Sequence, residues 1–482
     1  MQNNNLDTQI NNFLSKTLKN DDHFTSAKLA ILDTLGCVIE ASSHDEVNNF
    51  AIEDKSFELF SNPFLNVGKL DSYQEVSWYL TVLTRWFDYN DTFLAKEWAH
   101  PSDNFGSIYS YFYSNPNYKF IDFTTALTKA YEIQGSLCLG TSLNQLGYDH
   151  VFYVKLASGA VFSSLLSKGN EKIVHRTINH ILLDGPSLRS YRHFPNVGKR
   201  KSWAAADASK RGIELAKISQ LNDEVYSSIQ DVKNWGFEKN YLNNSEIKFG
   251  KELNDWVIQN VLFKVLFPAE FHGQSAVEGA IELSKEFNQN IDKVKKINIF
   301  THEPAIRIIA NKDNLSNASD RDHSLEYMVS AALLFGELKY EMYGNDFSGL
   351  NKIESLRKKI VVSEDSNFTK NYYEFSKRHI SNSIEIVYDD NSTSEKITIE
   401  NPIGHPSRRE EAIPLLKEKF ISNVQNVLSL DKSMSLWEQV INLEKDDELT
   451  KFFNILQAVS YTHLRAHETK ANLVCRLRLE KK

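Results

Sequence analysis

The spacing of apolar residues changes once along the chain, near residue 268, and this change most constrains the fold. Before it, apolar residues recur at helical spacing, which predicts helices over 24–41, 72–87, 123–139, 151–167, 210–218 and 251–265. Only 10 prolines and 19 glycines occur in 482 residues, which favours long regular elements over linkers. The first 268 residues are therefore predicted to be all-helical.

Strand-like patterns begin only after this point. Alternating residues predict four strands, the last two forming a hairpin, at 295–300, 358–363, 383–387 and 396–400. Helical spacing also recurs, at 271–287, 323–334 and 406–455. Helices and strands therefore mix in the middle of the chain, whereas both of its ends are helical.

The predicted fold class is mostly α, with a large all-helical domain formed by both chain ends and a smaller inserted α+β lid domain. The predicted borders are 1–268 and 404–457 for the helical domain and 269–403 for the lid. Residues 458–482 are basic in an acidic chain, and part of this stretch resembles a translated sequencing adapter. We predict that this tail is non-native and exclude it from functional reasoning.

The net charge limits the kinds of partner that the protein can bind, and its cysteines indicate the compartment in which it works. A net charge of −8 argues against nucleic acid or an anionic membrane surface as the main partner. The N-terminus has no basic or apolar leader, and no apolar stretch of about 18 residues occurs, which predicts a cytoplasmic protein. Three scattered cysteines, Cys37, Cys138 and Cys475, form no disulfide framework or metal-ligand spacing. The small number and wide spacing of the cysteines agree with a reducing compartment.

Several catalytic signatures are missing from the sequence. It contains no H-E-x-x-H, no G-x-S-x-G, no G-x-x-x-x-G-K-[ST], and no Rossmann glycine fingerprint after a strand. The sequence therefore lacks the motifs of metal-dependent hydrolysis, of serine nucleophiles, of nucleotide hydrolysis and of dinucleotide redox chemistry. We therefore predict acid/base chemistry on an anion, with neither a metal nor a cofactor.

Polar residues concentrate first in the segment 85–104. His100 precedes a proline, so it does not sit easily inside a helix. Histidine can shuttle protons, and a carboxylate such as Asp88 can orient it. The plainer alternative is that Asp91 and Thr92 form a helix cap and that His100 is a turn residue.

Two further polar segments carry His150 and a basic loop at 191–203. The basic side chains of the loop are Arg192, His193, Lys199, Arg200 and Lys201. A helix-prone stretch follows, and loop cations beside helix N-terminal amides would form an anion site suited to carboxylates. The plainer alternatives are a solvated surface loop and, for His150, a residue next to a helix cap.

Together these segments resemble the MmgE/PrpD family. The resemblance rests on the blocks 85–92, 97–104, 132–135, 147–151, 184–193, 200–208, 267–276 and 321–327, and it extends to about Leu456. It implies a helical domain with a smaller α+β domain and an active site between them. It also implies that this site is lined by Asp88, Thr92, His100, His150, Lys201, Lys264 and Tyr327.

The resemblance implies metal-independent dehydration of 2-methylcitrate to 2-methyl-cis-aconitate, a step of the methylcitrate cycle of propionate catabolism. The substrate is then a small tricarboxylate, and citrate and cis-aconitate are related candidates. The resemblance further implies a homodimer through the helical domain. A decarboxylase or isomerase of a related polycarboxylate such as cis-aconitate is the alternative activity, and a catalytically silent helical scaffold is a third hypothesis.

Roles follow from what such a dehydration needs. Carboxylate binding is assigned to Lys201, Arg192 and Lys264, with Arg85 and Arg200 as lesser candidates and Thr92 as a further contact. His100, oriented by Asp88, is the predicted base, and His150 or Tyr327 is the predicted acid. The sequence leaves the division between base and acid open.

Overall fold

The computed structural model describes residues 5–18, 22–44, 46–47, 72–193, 196–221, 226–287, 291–310 and 315–458. Helix accounts for 61% of the structure and strand for 8%, so the predicted mostly-α class is confirmed. The predictions for the tail lie outside the described residues, beyond residue 458. Within the described part, no helix combines the length and the apolar character needed to cross a bilayer.

Helices dominate the first 268 residues. They are α1 (Leu6–Ser15), α2 (Asp22–Ser42), α3 (Tyr73–Arg85), α4 (Phe105–Ser114), α5 (Phe120–Gly140), α6 (Val151–Leu166), α7 (Glu171–Asp184), α8 (Arg200–Leu221), α9 (Phe237–Tyr241) and α10 (Trp256–Gln259). The nearly continuous apolar sequence of α6 is buried around most of its circumference. Gly159 on α6 meets Gly212 on α8, where a Cβ at position 159 would lie 3.2 Å from the Cα of Gly212. The lack of side chains at both positions lets α8 pack closely against α6.

A short hairpin interrupts this helical region. Its strands are β1 (Phe93–Leu94) and β2 (Trp98–Ala99), which pair antiparallel. The prediction of an entirely helical region up to residue 268 is wrong here, because two-residue strands are too short to show alternation. The hairpin places Thr92 and His100 at its two ends.

The predicted helix over 251–265 is also largely wrong, since only α10 is helical there. Residues after α10 instead run extended and pair with distant backbone. Leu262 exchanges hydrogen bonds of 2.8 Å with Thr92, and the Phe263 N–H donates to Gly404 over 3.1 Å. Long-range pairing therefore overrides the local helical spacing and carries Lys264 toward the end of α3.

The later part of the chain mixes helices with one four-stranded sheet. Its elements are α11 (Gln274–Phe287), β3 (Val294–Thr301), α12 (Glu303–Ile309), α13 (Ala318–Arg321), α14 (Leu325–Phe335), α15 (Leu350–Arg357), β4 (Ile360–Glu364), α16 (Ser366–Tyr373), β5 (Asn382–Tyr388), β6 (Ile397–Ile399), α17 (Arg409–Val424) and α18 (Leu430–Ile441). The strand order is β4-β3-β5-β6, with β3 parallel to β4 and the other pairs antiparallel. All four predicted strands, including the hairpin, are confirmed.

Two separate groups of apolar side chains form the main cores. The larger joins residues from the first 265 positions with residues 412–456, and the smaller lies within 267–386. Helix α17 packs on α2, where Lys419 pairs with the buried Asp33 over 2.6 Å and donates to the Tyr89 carbonyl over 2.6 Å. The two-domain division, with borders at 268 and 404, remains a prediction.

Replacing Gly404 by Ala should destabilise the protein more than replacing Gly169 by Ala. Both glycines have a positive φ, which costs an alanine roughly 1–2 kcal/mol. A Cβ at position 404 would also lie 1.9 Å from the Phe263 carbonyl oxygen, whereas nothing lies within 4 Å at position 169. The clash should add about 1–3 kcal/mol, measured by urea unfolding. Equal losses for the two variants would contradict the pairing of residue 263 with residue 404.

Candidate active site

Asp88 folds back onto the last turn of α3. Its φ of +49° lies in the left-handed region, which few non-glycine residues adopt. In this conformation its carboxylate accepts a 2.7 Å hydrogen bond from Arg85, the last residue of α3. Arg85 also donates to Asn90 over 2.9 Å. The turn thus buries a carboxylate and a guanidinium together.

Three cations surround the Asp88 carboxylate. Besides Arg85, the Lys264 ammonium lies 3.3 Å from Oδ1 and also donates to the Asp88 backbone carbonyl. The Lys201 ammonium lies 3.8 Å from Oδ2. Burial would raise the pKa of Asp88, but Lys264, Arg85 and Lys201 outweigh it and hold the pKa well below its usual value. Asp88 is therefore a permanent anion at the centre of these cations.

His100 presents a free basic nitrogen beside this centre. Its Nδ1 lies 2.7 Å from the Asp91 backbone carbonyl and 3.4 Å from the Thr92 hydroxyl. A carbonyl can only accept, so Nδ1 carries the hydrogen and Nε2 keeps its lone pair. Burial and the charge of Arg85 hold the pKa of His100 well below its usual value, so the imidazole is neutral near pH 7.

The orientation of His100 differs from the expected one. Its Nε2 lies 3.7 Å from Asp88 Oδ1, which is longer than a hydrogen bond. The carbonyl of Asp91 orients the ring instead, so Asp88 acts on His100 through charge. A backbone carbonyl carries no sequence signature, which explains why the residue pattern pointed to the nearby carboxylate.

His150 lies next to His100, with ring centroids 6.0 Å apart. The adjacent Asp149 accepts a 2.6 Å bond from Arg192 Nε and a 3.3 Å bond from Nη2. Burial would raise the pKa of Asp149, but Arg192 and His150 hold it far below its usual range. Burial lowers the pKa of His150 itself. The Arg192 guanidinium therefore lies in the cluster paired with the carboxylate of Asp149.

Lys201 bridges the helical region to the segment before α14. Its ammonium lies 2.8 and 2.9 Å from the two oxygens of Asp322 and 2.9 Å from His323 Nδ1. Asp88, Asp322 and His323 each place one metal-type ligand atom within 4.8 Å of the others. The Lys201 ammonium is itself the cation among these three groups, so a metal ion would have to displace it.

Two of the predicted site residues lie apart from this cluster. The Tyr327 hydroxyl donates to the Met342 carbonyl over 2.6 Å, inside the core of residues 267–386. The Arg200 guanidinium stacks on Trp203, with 4.3 Å to the ring centroid, and lines a separate cavity of 260 Å³. The other predicted residues converge: Arg85, Asp88, Thr92, His100, His150, Arg192, Lys201 and Lys264.

The residue pattern missed several charged groups at the site. Asp322 and His323 contact Lys201, and Asp149 binds Arg192. Glu270 accepts a 2.8 Å bond from His272; burial would raise the pKa of Glu270, but His272 lowers it to about 2. All four lie in blocks that carry the family resemblance, and Asp149 also lies in the polar segment that carries His150.

A larger cavity of 480 Å³ lies beside the cluster but excludes its charged groups. Tyr89 and Val265, the chain neighbours of Asp88 and Lys264, line it together with Lys419. Three glutamates also line it, at positions 40, 341 and 418. Lys339 also lines it, so three glutamates face two lysines there, a lining that favours a tricarboxylate less than the three cations around Asp88 do.

Replacing Asp103 by Asn should stabilise the protein relative to wild type as the pH rises from about 5 to about 7. Asp103 is fully buried, and burial raises its pKa to about 7, despite Arg85 at 3.5 Å. An unfolded aspartate ionises near pH 4. The folded state therefore binds the extra proton, and its stability falls as the pH rises between these values, by roughly 2–3 kcal/mol over two pH units.

Urea unfolding at several pH values measures this difference. The same substitution at the exposed Asp431 serves as the control. A difference between the Asp103 variant and wild type that stays constant with pH would mean that this carboxyl is not protonated near neutrality.

Comparison with known proteins identifies the family of the chain. Residues 9–250 match the N-terminal domain of the MmgE/PrpD family, and residues 267–445 match its C-terminal domain. The 2-methylcitrate dehydratase of Escherichia coli (strain K12) is 38% identical over 416 residues, which cover 83% of this chain and 86% of the relative. The mitochondrial 2-methylcitrate dehydratase of Yarrowia lipolytica is 36% identical over 441 residues, 88% of this chain and 85% of the relative.

A probable 2-methylcitrate dehydratase of Saccharomyces cerevisiae is 36% identical over 424 residues, which cover 84% of this chain and 82% of the relative. Similarity at this level therefore extends over most of the chain in bacterial and fungal relatives alike. With both domains matched and relatives this similar, the chain belongs to the MmgE/PrpD family.

Proposed function

We propose that this protein is a 2-methylcitrate dehydratase, a hydro-lyase that forms 2-methyl-cis-aconitate without a metal. The observation that carries the proposal is the neutral His100, whose free Nε2 faces a buried group of cations around Asp88. The names of the relatives from Escherichia coli and Yarrowia lipolytica support the substrate. The proposal includes citrate as a slower substrate.

The reaction begins with removal of a proton from a carbon next to a carboxylate. Such a proton is weakly acidic, so the enzyme needs both a base and cations that stabilise the developing negative charge. His100 Nε2 is the proposed base. Lys201 and Lys264 are the proposed partners of the carboxylate that gains charge, because both ammonium groups lie within 4 Å of Asp88, beside His100.

The remaining carboxylates need further donors. Arg192 binds Asp149, the neighbour of His150, and Arg85 binds Asp88. Arginine presents a planar fork that matches carboxylate geometry, which suits it to this task. Carboxylate binding by Arg192 would share the guanidinium between the substrate and Asp149.

The proposed location is the cytoplasm, and the two buried free thiols Cys37 and Cys138 agree with a reducing compartment. Burial raises the pKa of both thiols, so neither is a reactive thiolate. The homodimer through the helical domain stays a prediction.

Ultraviolet absorbance of the conjugated product tests the proposed activity. Racemic 2-methylcitrate and citrate are offered in separate assays with and without EDTA. We expect the absorbance to rise in both conditions and to rise faster with 2-methylcitrate. No rise with either acid would overturn the proposal, and carbon dioxide released from cis-aconitate would then identify the decarboxylase alternative.

Replacing His100 by Asn should lower kcat by roughly 10²–10⁴-fold. Asparagine retains an N–H that can reach the Asp91 carbonyl but has no basic nitrogen in place of Nε2. His44→Asn is the matched control, because His44 lines the separate 480 Å³ cavity. Steady-state kinetics on 2-methylcitrate measure both variants. A loss of less than about tenfold for the His100 variant would rule out its role as the base.

A further inference from the structure

His323 is the most accessible imidazole of the cluster. Its side chain is 21% exposed, compared with 13% for His100 and 5% for His150. It immediately precedes Ser324, the N-cap residue of α14, whose hydroxyl accepts a bond from the Tyr327 N–H. A capped helix start gives the imidazole a fixed position at the edge of the charged cluster.

Asp88 lies close to both His323 and the proposed base. Its carboxylate is 3.7 Å from His100 Nε2, and a carboxylate oxygen of Asp88 lies within 4.8 Å of a ring nitrogen of His323. The two imidazoles therefore flank one anion from different parts of the chain. A small substrate held by the surrounding cations would contact both.

Two neighbours compete for the same nitrogen of His323. Asp322 Oδ1 lies 2.7 Å from Nδ1, and the Lys201 ammonium lies 2.9 Å from it. An ionised carboxylate only accepts and an ammonium only donates, so Nδ1 cannot satisfy both at once. Nδ1 either carries a hydrogen that Asp322 accepts or takes one that Lys201 donates.

The 2.9 Å contact between the Lys201 ammonium and His323 Nδ1 is short enough for a proton to pass between the two groups. The proton can reside on Lys201 as ammonium, or on His323 as imidazolium with Nδ1–H toward Asp322. Asp322 contacts both residues, at 2.8 and 2.9 Å for Lys201 and 2.7 Å for His323. The carboxylate therefore stabilises either location, and the proton can pass between them over a single short contact.

We propose that His323 is a second catalytic residue, which protonates the leaving hydroxyl while Lys201 resupplies its proton. This inference rests on the proposed dehydration. His100 Nε2 takes the carbon-bound proton, and the electron pair of that bond forms the new double bond. The carbon–oxygen bond breaks, and the oxygen keeps its electron pair and takes the proton from His323 Nε2. Water leaves, and as the extra charge on the substrate carboxylate disappears, Nδ1 takes a proton from the Lys201 ammonium. His100 then releases its proton to solvent and Lys201 takes one back, which restores both groups for the next turnover.

The other acid candidates are less well placed. The Tyr327 proton is already donated to the Met342 carbonyl. His150 is more deeply buried than His323, and burial holds its pKa well below its usual value, so it has no excess proton to give. His323 alone among these three contacts an ammonium group that can replace the proton it donates.

Chemical rescue by imidazole tests this role. His323→Ala should lower kcat by about 10²-fold or more. Added imidazole should raise the kcat of this variant at least tenfold, because the 21% exposure of His323 leaves the vacated position reachable from solvent. KM should change by less than about threefold, since truncating His323 leaves the proposed carboxylate-binding cations in place. A purely structural role would not respond to imidazole.

His379→Ala is the matched control. His379 is 18% exposed and pairs with a carboxylate, Glu400, over 3.0 Å, yet it lies outside the cluster. Its substitution should leave kcat within about twofold and insensitive to imidazole. His323→Gln, which preserves polarity and most of the volume, should lose activity like the alanine variant but without rescue, and it replaces that variant should the alanine protein not fold.

A loss of less than tenfold for either His323 variant, or a large loss without rescue in a folded His323→Ala protein, would overturn the assignment. Wild-type protein measured in the same assay separates the two proposals. An inactive wild type rejects the dehydratase itself, whereas an active wild type with an equally active His323 variant rejects only the role of His323.

Discussion

The buried carboxylate of Asp88 is the interaction on which the site depends. It holds three cations that come from distant parts of the sequence, Arg85, Lys201 and Lys264. Like charges removed from water repel one another strongly, so these cations could not share one buried volume without an anion among them. The pairing therefore joins the end of α3, the start of α8 and the extended segment after α10.

Two other carboxylates of the cluster hold cations in the same way. Asp149 holds Arg192, and Asp322 holds Lys201. These carboxylates fix the cations in place before any substrate arrives, so the proposed site needs little reorganisation to receive an anion. This arrangement also explains how a chain with a net charge of −8 can present cations locally to a tricarboxylate. The position of Lys201 among Asp88, Asp322 and His323 puts an ammonium where these donors could otherwise hold a metal ion.

Much of the fold follows from local patterns, and the larger of the two errors has a long-range cause. Long periodic stretches such as α2 and α6, and the alternating strands β3 and β5, formed as predicted because local spacing and burial agree there. The segment 251–265 is mostly not helical, because its backbone pairs with Thr92 and Gly404, residues far away along the chain. Local spacing carries no information about such partners.

The same difference between local and long-range signals applies to the site. His100, Arg85, Arg192 and Lys201 stood out from their own segments, whereas Lys264 was expected only from the family resemblance. The groups that position these side chains did not stand out. The carbonyl of Asp91 and the carboxylates of Asp149 and Asp322 act through contacts that only the folded chain creates. Tyr327 was expected at the site from the family resemblance, but its hydroxyl binds the Met342 carbonyl inside the α+β core.

The location of the bound substrate tests the central claim most directly. A crystal structure of the His100→Asn protein with 2-methylcitrate would show it, since this variant should bind the substrate but turn it over much more slowly than wild type. We predict carboxylates within hydrogen-bond distance of Lys201 and Lys264, with a substrate carbon facing position 100. A molecule bound instead in the 480 Å³ cavity lined by Tyr89 and Lys419, with the charged cluster empty, would contradict the account.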